Sequence, residues 1–328
     1  MAATTGYVYD PRFLEHDTGA GHPERPARLT RIVESLASNA WFADLPRFEP
    51  LPADRASVEA IHAPEYVDHA DQVIASGAEY LDSMDVAVSR SSFEIALLAA
   101  GAGMTLANEI IAGRVNNGMA IIRPPGHHAE AQRALGFCIF NNVAILAEHL
   151  KSAHGIERIA IVDFDVHHGN GTQSAFQADP NVMYISTHQF PYYPGTGAAE
   201  EIGTGPGAGT IVNCPLRAGS GNTEYEAAFM KRILPALDAF GPDFVLVSAG
   251  FDAHADDPLG DMRLSTDFYG RMTEWLLEIA DRHAGGRLIS LLEGGYDVDA
   301  LAASVVAHIG TLAGVPESEH NRTEASAG

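Results

Sequence analysis

The chain has 328 residues, 46% hydrophobic and 8% aromatic, and its apolar runs are short and regularly interrupted, which suits a buried core better than a membrane span. Forty-three acidic residues against 20 basic ones give a net charge of −23, which repels phosphate backbones and argues against nucleic-acid binding. An acidic surface favours cationic substrates, although a well-solvated surface explains the same charge.

The amino end, MAATTGYVYDPRF, has neither a basic nor an apolar leader region, so a cytoplasmic protein is expected. Apolar residues at helical spacing predict helices over Phe93–Ile111, Asn142–Ala153, Tyr225–Phe240, Phe268–His283 and Ala300–Leu312, several closed by a glycine such as Gly155, Gly241 or Gly285. Between them, apolar runs containing Val and Ile predict buried strands at Met119–Ile122, Arg158–Val162, Val182–Ile185, Thr210–Val212, Phe244–Val247 and Leu288–Leu292. Strand–helix repetition of this kind implies an α/β domain with a mainly parallel sheet covered on both faces. No linker divides the chain: residues 1–315 read as one domain and 316–328 as a polar tail. Cys138 and Cys214 lie far from any C-x-x-C spacing, so a disulfide framework and a thiolate zinc site are unsupported.

Five expected strand ends run into loops rich in chemistry: Arg123-Pro-Pro-Gly-His-His128, Asp163-Phe-Asp-Val-His-His-Gly-Asn170, Ser186-Thr-His188, Ser248-Ala-Gly-Phe-Asp-Ala-His254 and Leu292-Glu-Gly-Gly-Tyr-Asp297. In a parallel sheet the carboxyl ends share one edge, where ligands bind, so these loops are expected to converge. Extended backbone alternates faces, which turns Asp163, Asp165 and His167 one way and Phe164 and Val166 the other. Two carboxylates and an imidazole suit zinc or ferrous iron, and Asp252 from another strand end can complete the set while leaving a position open for water. Taken singly, an Asp-x-His is more often a hydrogen-bonded loop pair. His127 and His128 follow the rigid Pro124-Pro125-Gly126 turn, where one imidazole can take a proton from water and return it to a leaving amine; a surface or capping pair is the alternative. Tyr296, after a diglycine, can donate to an oxyanion or simply pack.

Together these residues resemble the histone deacetylase family, of the arginase/deacetylase fold. The likeness runs from Gly21-His-Pro-Glu-Arg-Pro-Ala-Arg-Leu29 through Arg123-Pro-Pro-Gly-His-His-Ala129, Gly136-Phe-Cys-Ile-Phe-Asn-Asn142 and Val162-Asp-Phe-Asp-Val-His-His-Gly-Asn-Gly-Thr172 to Glu293-Gly-Gly-Tyr296. The opening motif and Ser248-Ala-Gly-Phe-Asp252 are similar to the class II branch and its bacterial amidohydrolase relatives.

This resemblance implies a three-layer αβα fold on a mainly parallel eight-stranded sheet and a zinc-dependent deacetylase. By it, Asp165, His167 and Asp252 are the zinc ligands, His128 the general base and acid, His127 its electrostatic partner oriented by Asp163, and Tyr296 the group that polarises the acyl carbonyl. Gly136, Phe137 and Tyr193 match the narrow acyl-lysine tunnel, Phe137 being equally compatible with core, and Gly295 matches a position beside the substrate. Asn170 stands where class I members carry aspartate and leaves His128 a neutral orienting partner. Potassium is implied at two places: one site of Asp163, Asp165, His167, Ser186 and Thr187, and one using backbone oxygens around Phe176, Asp179 and Val182.

The implied substrate is an acylated-lysine peptide or a small acylated amine, without a nucleic-acid or membrane partner, and a homo-oligomer is compatible with the sequence. Polyamine-selective relatives carry glutamate for the leucine of Asp257-Pro258-Leu259-Gly260, so Leu259 favours acyl-lysine. The rival reading is an acetylpolyamine amidohydrolase. A ureohydrolase of the arginase kind needs a further Asp-x-Asp, and residues 253–256 read Ala-His-Ala-Asp; a non-catalytic acyl-lysine module would not keep every ligand, both histidines and the tyrosine.

Overall fold

The structure, a computed structural model, describes residues 4–320. Its centre is one sheet of eight strands: β1 (Thr5–Val8), β2 (Arg47–Phe48), β3 (Asn117–Ala120), β4 (Ile159–Asp163), β5 (Val182–Gln189), β6 (Ile211–Leu216), β7 (Phe244–Ala249) and β8 (Leu288–Leu292), in the order β2-β1-β3-β8-β7-β4-β5-β6. Every pairing is parallel. The sheet is therefore wholly, not mainly, parallel. The six expected strands are all present, within a few residues at their ends; β1 and β2 were not expected, being four and two residues long with no apolar run.

Helices α1 (Ala27–Ala37), α2 (Arg55–Glu59), α3 (Pro64–Ser76), α4 (Ser92–Ile111), α5 (Asn142–His154), α6 (Asn170–Phe176), α7 (Asn222–Ala228), α8 (Leu234–Phe240), α9 (Thr266–His283) and α10 (Val298–Leu312) cover it. Neighbouring residues of β8 show the two faces: Leu291 packs on Gly103 of α4, which Leu146 of α5 also approaches, while Ser290 accepts or donates to His308 of α10 at 2.8 Å. The expected Tyr225–Phe240 helix is α7 and α8 joined by a π turn over Phe229–Ile233, just ahead of Pro235, whose missing N–H a regular helix would need. Both ends of α5 are capped: the Asn141 side chain accepts from Ala144 N–H at 3.0 Å, and Gly155 closes the helix in the left-handed region.

Helix α4 is long and apolar enough to cross a membrane by length and composition, yet α5 and the sheet cover it and most of it is buried. At the carboxyl end, residues 316–319 are exposed, with a 3-10 turn over Glu317–Glu319, while His320 is buried against Gly310; residues 321–328 lie outside those described.

The strand order explains why distant motifs meet. β7 and β8 insert between β3 and β4, aligning Asp163 with Ser248 and Ala249 with Leu292. The loops after β3, β4, β7 and β8 thus leave the sheet side by side at one edge.

Candidate active site

β4 ends at Asp163 and the chain bends at residues 165–167, so the expected extended alternation does not hold there; the bend itself brings Asp165 and His167 together. His167 Nδ1 lies 3.1 Å from Asp165 Oδ1 and 3.3 Å from Asp252 Oδ2, and one ligand atom from each residue falls within 4.8 Å of the others. The carboxylates are held by backbone: Gly294 N–H donates to Asp165 Oδ2 at 2.9 Å and Val166 N–H to Asp252 Oδ1 at 2.8 Å. Asp252 Oδ2 is buried with no hydrogen-bond partner. Burial, then the charge of Asp165, pushes the Asp252 carboxyl up to about 7. Burial acts the same way on Asp165, but the His127 and His167 imidazoles outweigh it and hold that carboxyl low. Two desolvated carboxylates with an orphaned oxygen between them call for a cation, and the donor set suits zinc or ferrous iron.

The two histidines after the Pro-Pro-Gly turn have opposite environments. His127 Nδ1 is 3.0 Å from Asp163 Oδ2; burial would lower its pKa, but Asp163 and Asp165 overcome that and raise it well above the usual value. His128 is pushed well below by burial, then by His127 and His167. Its Nδ1 is 2.8 Å from Asn170 Oδ1, while Asn170 Nδ2 donates to Glu130 Oε1 at 2.8 Å. That second bond fixes the amide, so His128 donates from Nδ1 and keeps a lone pair on Nε2. Glu293 anchors the turn, accepting from Gly126 N–H at 2.7 Å and His127 N–H at 3.2 Å.

A cavity of about 200 Å³ opens onto this cluster, lined by His128, His167, Tyr296, the Gly136–Phe137 pair, Tyr192, Tyr193, Asp85 and, at one side, Leu259. Phe137 stands edge-on to Tyr296 at 5.7 Å between centroids, Tyr193 edge-on to His128 at 5.2 Å, and Tyr192 stacks on His167 at 5.7 Å. Gly136 is required here, because a Cβ would overlap the His128 ring, and Phe137 adopts φ +68°, an uncommon conformation for a bulky side chain and one concentrated at functional sites. Burial, then the Asp252 and Asp165 charges, raise the Tyr296 phenol well above its usual pKa, so it remains a hydrogen-bond donor. A wider depression of about 790 Å³ against α9 and α10, lined in part by exposed Arg271, Glu274 and Glu278, holds no grouping of metal ligands among the described residues.

The candidates from the sequence are thus brought together with two exceptions. Gly295 lies behind the wall, its carbonyl turned to Arg28. Phe176, Asp179 and Val182 sit toward the opposite end of the strands, where Val182 pairs with Ile159 and the Asp179 carboxylate takes Lys151 at 2.7 Å. Ser186 and Thr187 lie on β5 beside Asp163, and Thr187 Oγ1 is buried without a partner.

Several residues of the site had no role assigned from the sequence. Asp85 Oδ2 accepts from Tyr193 Oη at 2.9 Å and from Gly136 N–H at 3.2 Å, joining opposite walls of the cavity. Glu24 binds Arg123 through both oxygens and Arg28 at 3.1 Å, all three buried. Glu24 and Arg28 were visible only as parts of the opening motif, and Asp85 carried no local signal.

A family model described as "Histone deacetylase domain" matches residues 22–312. The chain is 41% identical to histone deacetylase 15 of Arabidopsis thaliana over 97% of this chain and 58% of that protein, and 40% identical to the polyamine deacetylase HDAC10 of Homo sapiens over 89% and 45%. It spans only about half the length of these two relatives. It is 38% identical to a histone deacetylase-like amidohydrolase of Pseudomonas aeruginosa over 96% of this chain and 87% of that one. The crystal structure of the HDA15 HD domain superposes with a TM-score of 0.89 at 40% identity, covering 95% of this chain and 90% of that one.

Proposed function

The chain belongs to the histone deacetylase family, and from that premise we propose that it is a zinc-dependent amide hydrolase removing acetyl or longer acyl groups from lysine-like amines, leaving a carboxylate and a free amine. The observation that carries this reading is the aromatic-walled cavity that reaches His128 and His167, the latter grouped with Asp165 and Asp252.

Asp165, His167 and Asp252 would hold the zinc. When bound, the ion supplies Lewis-acid activation of water and of the acyl carbonyl. His128, neutral with a free Nε2, takes the proton from the attacking water and passes it to the departing amine. His127, paired with Asp163, carries positive charge beside it and keeps His128 from protonating too early. The Tyr296 hydroxyl donates to the acyl oxygen as charge builds there. Phe137 and Tyr193 flank an unbranched chain, with Gly136 allowing the wall to approach His128. The buried Thr187 hydroxyl and the Asp163 carboxylate support the first potassium site of Asp163, Asp165, His167, Ser186 and Thr187; the second, at Phe176, Asp179 and Val182, rests on the family likeness alone. The setting we propose is cytoplasmic.

For substrate we propose acyl-lysine peptides over acetylated polyamines, because Leu259 at the cavity offers no charge to a distal ammonium. The likeness to a polyamine deacetylase makes polyamines the second reading. Measuring kcat/KM for an acetyl-lysine peptide against acetylputrescine and acetylspermidine decides between them: a strong preference for the polyamines would overturn the first, and no metal-dependent turnover of any of the three would overturn the hydrolase reading.

A further inference from the structure

The Gly295–Tyr296 peptide bond is gripped at both ends by opposite charges. Arg28 Nε donates to the Gly295 carbonyl at 2.6 Å and Arg28 Nη2 to the Glu293 carbonyl at 2.5 Å, with the guanidinium 5.1 Å from the Tyr296 ring centroid. From the other side, Asp257 Oδ2 accepts Tyr296 N–H at 2.6 Å and Asp297 N–H at 3.3 Å. The second oxygen of the same carboxylate accepts Leu259 N–H at 2.9 Å. A carboxylate at the N–H end and a guanidinium at the C=O end both lie along the peptide dipole, so each strengthens the bond made by the other.

This grip falls where the chain is least able to hold itself. Gly294 and Gly295 precede the tyrosine, and Gly295 sits at φ +123°, a conformation that glycine enters and leaves freely. Gly294 cannot be replaced to stiffen the loop, since a Cβ there would overlap the Asp252 carboxylate. Only a carboxylate offers acceptors on both oxygens; an asparagine in its place would set an NH₂ against one of the backbone donors.

We infer that Asp257 is a positioning residue that holds the Tyr296 phenol and the Leu259 side chain in one register, so that a single carboxylate sets both the donor at the floor of the substrate cavity and the apolar residue at its side. The catalytic half of this inference rests on the hydrolase reading above; the structural half rests on the geometry alone.

The test uses the full zinc-loaded chain with Asp257→Asn and, where it folds, Asp257→Ala. Backbone amide exchange over residues 257–260 and 293–298 is expected to speed up in Asp257→Asn, with zinc content unchanged. No change in exchange there would overturn the structural half. On an acetyl-lysine peptide, kcat is expected to fall on the order of tenfold to a hundredfold, the loss typical of a displacement of about 1 Å at a reacting group. In a Tyr296→Phe background the same Asp257→Asn change is expected to cost less than about twofold, because the hydroxyl it positions is gone. A loss that multiplies in full with Tyr296→Phe would show that Asp257 does not act through the tyrosine. Tyr296→Phe with wild-type kcat would instead remove the role given to Tyr296, a failure distinct from either of these.

Discussion

Tyr296 and His128 face the cavity but stand outside the Asp165, His167 and Asp252 trio, which lets substitution separate chemistry from metal binding. Tyr296→Phe and His128→Ala are expected to retain stoichiometric zinc while kcat falls by roughly two orders of magnitude, as for loss of an oxyanion donor or a general base. Metal analysis beside steady-state kinetics checks both; near-native kcat would withdraw the role from that residue. Asp252→Ala is expected to lose metal and turnover together, and a variant with full zinc and full activity would end the ligand assignment. Leu259→Glu is expected to raise kcat/KM for acetylspermidine relative to the acetyl-lysine peptide, by adding a carboxylate at the cavity; no gain would remove the argument from Leu259. The residues behind these expectations were legible because their signals are local: Asp165 and His167 sit two apart just past a strand end, though in a bend and not the expected extended run, and Tyr296 follows a diglycine. Asp85, Glu24 and Asp257 had no role assigned because each acts on partners set by the fold, such as Gly136 for Asp85 and Arg123 for Glu24, 51 and 99 residues away.

Among the elements, α4 shows propensity and packing pulling in opposite directions. Its Gly101 faces the chain at Leu51–Ala53, and a Cβ would overlap the Leu51 carbonyl and crowd the Ala53 nitrogen. Gly101→Ala would gain about 1 kcal/mol of helix propensity. The obstacle is backbone and cannot rotate away, so overpacking of about 1–3 kcal/mol is expected to win and destabilise the protein. A lower urea midpoint at constant slope checks it, and a raised midpoint would show that the 51–53 segment yields. The same helix was found from sequence by its apolar spacing, but the glycine's reason was not, since nothing local places Leu51 against it. Helix α1 went unassigned although Leu29, Ile32 and Leu36 fall on one face and are buried; its signal was present. β1 and β2 lacked such a signal, since strands that short are recognised through their partners.

The molecule as a whole buries several imidazoles in neutral form. Burial pushes His16 and His62 down to about 4 and His308 to about 3. A histidine with a depressed folded pKa contributes fully above its unfolded value near 6.5 and loses that contribution as pH falls toward the folded value, because the unfolded chain takes the proton first. Each is expected to cost about 1.4 kcal/mol of stability by pH 5.5. Glu24 adds a lower window: burial opposes its ionisation, but Arg123 with His16 and Arg28 prevails and holds it at about 2, so its contribution stands above about 4.5 and fades as pH falls through 2. Asp252 and His127, with raised values, pull the other way in the window from pH 7.5 to 5.5, so the check by denaturation midpoints is made one residue at a time: His308→Gln is expected to lose less stability over that window than the wild type, and an equal loss would contradict the assignment. The insertion of β7 and β8 between β3 and β4 carries a further consequence, for synthesis of the chain. Until about residue 292 has left the ribosome, β3 and β4 each lack an inner neighbour, and two open edges of a parallel sheet wait on the last strands to be made. The nascent chain therefore cannot complete its sheet strand by strand from the amino end. Stalled chains ending near residue 240 are expected to be cut readily by protease, while chains extended past residue 312 become resistant, so the catalytic loops and the sheet that carries them arrive in a single late event.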